Sequence, residues 1–135
     1  MSHIKVAALQ YPISFLSSFK DWQKKIEEWV AQAAAEKAEF VLFPEYGAME
    51  LTSLLSQSDR KNLKQQSRLL RPFLDDFLET FKNLAQKYSC YIIAPSFPFF
   101  QSEILTTNRV YIFSAAGEVE HQDKFFMTRF EDEEW

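Results

Sequence analysis

Glycine is nearly missing from this chain, whose 135 residues contain two, Gly47 and Gly117. Loops that cradle phosphates need several, so that class of nucleotide site is excluded. There is one cysteine, Cys90. No disulfide forms within the chain, which fits a reducing cytoplasm. Two histidines far apart in sequence and one cysteine do not make a standard zinc site, and no metal or other cofactor is expected. No apolar run approaches the ~20 residues of a membrane helix. The opening MSHIKVAALQ lacks the charged start and long apolar run of a signal peptide. The formal charge is −4, and no Lys/Arg cluster is dense enough to neutralise several phosphates, which argues against a nucleic-acid partner. Lys24–Lys25 and the stretch 60–64 read as solvated helix faces.

Apolar and aromatic residues are plentiful, at 47% and 16%, with 14 phenylalanines. A chain of this length forms one domain or part of a larger one. It can bury roughly two-thirds of its unfolded surface.

The pattern alternates strands and helices. Residues 4–10, IKVAALQ, read as a mostly buried strand that Pro12 ends. Phe19, Trp22, Ile26, Trp29, Val30 and Ala33 recur at helical spacing, with Ser17 or Ser18 as cap and an end near Lys37. Residues 39–43, EFVLF, form a continuous apolar run, as expected of a strand covered on both faces. Strand, helix and strand make a βαβ unit. Residues 47–70 are less defined: a helical turn or short helix first, then a second helix or an exposed excursion. From Phe73 to Tyr88 one apolar stripe defines another helix, with Pro72 in its first turn. Residues 91–98, YIIAPSFP, read as a third buried strand ending at a proline. Residues 108–115 and 118–124 read as a hairpin turning at Gly117. The closing RFEDEEW is an acidic run of the kind that is ordinarily solvated.

Two charged residues stand at strand ends, Glu45 after the run 39–43 and Lys124 after 118–123. Open α/β sheets place their sites at such ends. An acid and an ammonium sharing a partly dry cleft can transfer protons and stabilise a developing oxyanion. By spacing alone each is more simply a solvated surface residue.

The stretches KVAALQYPIS, AEFVLFPEYG at 38–47, YIIAPSFP at 91–98 and NRVYIFSAAGEVEHQDKFFMTRFE at 108–131 stand in an order and spacing that resembles the N-terminal half of the nitrilase (carbon–nitrogen hydrolase) superfamily. The resemblance covers nearly the whole chain. It implies an α/β fold: half or more of an α-β-β-α sandwich, a mixed sheet with flanking helices, in which residues 1–135 are the N-terminal part of a single domain.

The resemblance also implies a Glu–Lys–Cys triad. Its glutamate falls on Glu45, in the pair Pro44–Glu45. Its lysine falls on Lys124, with Gln122 where the family's pattern usually has an aromatic. The family's cysteine follows the lysine by a few tens of residues, so it is expected beyond Trp135. Cys90 precedes the lysine and reads as a small core or strand-edge residue. The implied chemistry is attack of cysteine on the carbon of an amide, carbamoyl compound or nitrile, with Glu45 as proton carrier and Lys124 facing the oxyanion. No metal is needed. Tyr46 and Arg129 are weaker substrate-binding candidates, and His121 is a possible pocket group better read as surface. One of Glu131, Glu133 and Glu134 is a candidate for the second glutamate that supports the lysine in many relatives. The complete protein is expected to be a cytoplasmic homo-oligomer, with this chain alone inactive and prone to associate through an uncovered sheet face. The competing reading is a truncated, non-catalytic α/β module serving binding or assembly.

Overall fold

The computed structural model describes residues 3–134. The order is β1 (Val6–Ala8), α1 (Phe19–Ala35), β2 (Phe40–Leu42), a 3-10 helix (Gly47–Leu54), α2 (Gln57–Arg60), α3 (Leu63–Leu70), a 3-10 turn (Arg71–Phe73), α4 (Leu74–Tyr88), β3 (Tyr91–Ile93), β4 (Phe97–Ser102), β5 (Leu105–Phe113), β6 (Val119–Asp123) and α5 (Arg129–Glu134). Ser18 caps α1 by accepting from the Asp21 amide, which satisfies one of the helix's orphan donors. The undefined stretch 47–70 resolves into the 3-10 helix and two short α-helices.

Strands β1, β2 and β3 pair in parallel, with Val6, Phe40 and Tyr91 level with one another. Strand β5 then runs antiparallel and carries β6 on one edge. Its other edge takes both β3 and β4, so the strand read at 91–98 is in fact two strands laid end to end. Ile93 is level with Ile112, but Phe97 is level with Arg109: four steps on one side span three on the other. The extra residue is a bulge at 94–96, where Pro95 has no amide to give the ladder.

Alternation along the strands separates two faces. Val41, Ile92 and Phe113 point to the side that carries the helices and are fully buried. There Trp22 of α1 stacks on Phe77 of α4 at 5.5 Å between ring centroids, and Phe81 stacks on Phe113 at 5.8 Å. The phenylalanines thus form one aromatic layer between α1, α4 and the sheet. The opposite face has no covering layer among the described residues. Leu42 and Tyr91 are exposed on it, and Phe40 stacks on Tyr91 at 4.8 Å. Strand β2 is therefore covered on one face, not two, among the described residues.

Lys25 departs from its reading as a solvated residue. Its ammonium bonds the Glu50 carboxylate, whose side chain is fully buried. Glu50 also accepts from the Tyr11 hydroxyl and from the Ser14 amide at 2.7 Å. Burial and the neighbouring Glu50 push the Tyr11 hydroxyl well above the usual phenol range, so it remains a donor. This cluster ties the chain after β1 to α1 and to the 3-10 helix that follows Glu45.

Candidate active site

Past β2, the Phe43 amide still bonds the Ile93 carbonyl at 3.0 Å, and Phe43 is buried in the core. Pro44 then ends the ladder, and the chain turns sharply. Tyr46 sits in the left-handed region at φ 61°, a costly place for a residue with a Cβ. Two contacts hold it there. The Tyr46 amide donates to Ser96 Oγ at 2.7 Å, and Ser96 lies in the bulge between β3 and β4. Next to it, Gly47 lies so close to Pro95 that a Cβ would come within 2.6 Å of the proline's own Cβ. The bulge and the turn therefore lock together, and Glu45 projects from between them.

Lys124 arrives from the other direction. The Lys124 amide donates to the Asn108 carbonyl at 2.8 Å, extending the β5–β6 ladder by one rung. One rung earlier, Arg109 and Asp123 form a two-point ion pair at 2.6 and 2.9 Å. The Arg109 guanidinium holds the Asp123 carboxyl below its usual range. The Lys124 ammonium lies 3.0 Å from Glu45 Oε1 and 3.0 Å from Glu131 Oε2. The acid and the lysine at the two strand ends, 79 positions apart, are thus in direct contact.

Of the three candidate acids that follow the lysine, Glu131 is the one that meets it. It is 1% exposed, and four donors converge on it. The Tyr46 hydroxyl and Asn108 Nδ2 (3.1 Å) reach Oε1, while the Thr128 amide (2.5 Å) and Lys124 reach Oε2. The Glu131 amide in turn meets Thr128 Oγ1 at 3.3 Å, so Thr128 and Glu131 form a reciprocal capping box that starts α5. The signal T-x-x-E was present in TRFE, hidden by the polarity around it. Asn108, 3% exposed, was read only as the start of a strand. Its amide also donates to Glu45 Oε1 at 2.8 Å.

These groups edge a cavity of about 250 Å³ that opens on the uncovered sheet face. Glu45, Asn108 and Lys124 form its polar side, and Leu42, Ile93 and Val110 its apolar side. A carboxylate and an ammonium beside an apolar hollow can carry a proton and receive negative charge there.

Of the remaining candidates, Tyr46 borders the site and the others fall elsewhere. The Tyr46 ring stands 5.8 Å from the Lys124 ammonium. Arg129 is outside the cavity's lining, and its exposed guanidinium bonds Glu133 at 2.6 Å across one helical turn. Lys124 pairs with Glu45 and Glu131 and forms no ion pair with Glu134. His121 is exposed on β6, its ring 6.1 Å from that of Tyr111. Cys90 is buried just before β3, at the opposite end of the strands from Glu45. Burial pushes its thiol up, away from the nucleophilic thiolate. Among the described residues no group of three or more acids, histidines and cysteines is placed to hold a metal ion. No helix there is long and apolar enough to cross a membrane.

A mixed sheet with helices on one face and an acid, a lysine and a second acid meeting at its strand ends is an α/β layer with a polar site at one edge. The chain belongs to the carbon-nitrogen hydrolase family, whose sequence model matches residues 5–130. It is 27% identical over 132 residues to a Bacillus subtilis (strain 168) protein named Probable hydrolase YhcX, covering 98% of this chain and 25% of that protein. Among solved structures it resembles a carbon-nitrogen hydrolase from Helicobacter pylori G27, with a TM-score of 0.66, 18% identity, and coverage of 93% of this chain and 41% of that one. It also resembles an amidase from Nesterenkonia sp., with a TM-score of 0.64, 17% identity, and coverage of 98% and 47%. The chain thus spans a quarter of the curated relative and under half of either structure.

Proposed function

We propose that the complete protein hydrolyses a non-peptide carbon–nitrogen bond of a small amide, with Glu45 and Lys124 as two members of a Glu–Lys–Cys triad. The third member is a cysteine from sequence following residue 135. The observation that carries this reading is the 3.0 Å contact between Lys124 Nζ and Glu45 Oε1 at the mouth of a cavity, in a chain of this family. The solved neighbour from Nesterenkonia sp. is an amidase, which supports an amide over a nitrile.

The steps follow from the groups. The cysteine's proton passes to Glu45 as sulfur attacks the amide carbon. The carbonyl oxygen becomes an oxyanion facing the Lys124 ammonium. Collapse expels the nitrogen, which leaves with the proton from Glu45, and a thioester remains. Glu45 then takes a proton from water, which attacks the thioester, and returns it to the departing sulfur, so the acid and the free thiol are released and the carboxylate is restored. Glu131 is a positioning residue here, fixing the lysine through Oε2.

The test uses the product of the complete reading frame. Ammonia release from a panel of short-chain amides, abolished by iodoacetamide, is the expected result. A reading frame without a cysteine after residue 135, or no hydrolysis of any amide or nitrile, assigns the protein to the non-catalytic alternative.

A further inference from the structure

We infer that Asn108 is a positioning residue that divides the work of the two Glu45 oxygens, leaving Oε2 as the one that exchanges protons. The inference rests on the function proposed above. Asn108 Nδ2 has two hydrogens and spends one on each carboxylate, 2.8 Å to Glu45 Oε1 and 3.1 Å to Glu131 Oε1. An amide nitrogen and an ammonium only donate. Glu45 Oε1 accepts from both Asn108 and Lys124, so that oxygen is committed as an acceptor. Oε2 accepts no hydrogen bond from any described residue. A proton arriving from a thiol has its place there, and the same oxygen is free to hand it to the leaving nitrogen.

The orientation of Asn108 is dictated by the carboxylates and maintained against a penalty. Its Oδ1 is buried and has no donor among the described residues. Buried polar atoms are rarely left this way. Turning the amide over would set Oδ1, an acceptor, against two carboxylate oxygens that also only accept, so the observed orientation is the one the acids enforce. At a site 3% exposed, the burial of Asn108 is offset by its bonds to the two carboxylates. Glu45 itself is half exposed and holds few other contacts. Without the Asn108 donor its carboxylate rests on the lysine alone.

The test compares Asn108→Asp, Asn108→Leu and Glu45→Gln in the complete protein, with melting curves for each. Asn108→Asp keeps the shape and loses both donors while ionised. At neutral pH kcat falls about 100-fold with KM within threefold, in the range general-base catalysis supplies. Toward pH 5 the introduced carboxyl gains a proton and can donate again, so its deficit relative to wild type shrinks at least tenfold. Asn108→Leu shows the same loss with no recovery in acid. Retention of kcat within threefold in both variants overturns the inference, as does an Asn108→Asp deficit that does not change with pH. Unfolding of both variants overturns it too, assigning Asn108 to stability. If Glu45→Gln is also fully active, the failure lies in the proposed function; if only Glu45→Gln is inactive, it lies with Asn108.

Discussion

Lys124 holds two acids at equal distance, Glu45 Oε1 and Glu131 Oε2 each 3.0 Å from its ammonium, but the two are not equivalent. Glu131 is sealed among four donors, whereas the Glu45 side chain is 54% exposed and faces the cavity. One acid fixes the cation and the other is available for chemistry.

That division makes Glu131 a residue of the fold as well as of the site. Glu131→Ala leaves the Tyr46 hydroxyl, the Thr128 amide and the lysine without their common acceptor. Removing one side of a buried pair costs ~3 kcal/mol. The urea midpoint of the complete protein is expected to drop accordingly, and an unchanged midpoint contradicts the packing described here.

A second buried pair allows a control within one helix. Lys25→Met strands the Glu50 carboxylate inside the protein and is expected to cost ~3–5 kcal/mol. Lys24→Met, at the exposed neighbouring position, changes stability by less than ~0.5 kcal/mol. Equal effects in a chemical denaturation experiment show that Lys25 is solvated after all.

Cys90 is expected to be chemically quiet. Its folded thiol is pushed above the unfolded value by burial, so its stabilising contribution is complete below about pH 8.5 and is lost as pH rises through the folded value. At pH 8, native Cys90 reacts with iodoacetamide many times more slowly than in urea, as peptide mapping will show. Cys90→Ala leaves kcat in the complete protein within twofold. Loss of turnover in that variant relocates the nucleophile.

The sequence revealed whatever is local. The α1 stripe with its Ser18 cap, the apolar run into Pro44 and the Gly117 turn, at φ 86°, each depend on neighbours a few positions away. The single strand read at 91–98 failed at the bulge, because the proline's missing amide sets a kink whose depth depends on Gly47, about fifty positions upstream. Lys25 looked solvated because its partner lies 25 positions on, in a stretch without clear periodicity. Asn108 was missed, and Glu131 could not be singled out from Glu133 and Glu134, for a related reason. Each is polar, and polarity in sequence reads as exposure unless the partners that compensate burial are known. The family resemblance located Glu45 and Lys124, while their mutual distance and their supports came from the fold.

The most direct measurement is kcat/KM of the complete protein on its best small amide, for wild type, Glu45→Gln and Lys124→Ala. Loss of the base and loss of the oxyanion's cation are each expected to lower it at least 10²-fold with the melting temperature preserved. Variants that fold and turn over the amide within threefold of wild type contradict the assignment of these two residues to the chemistry.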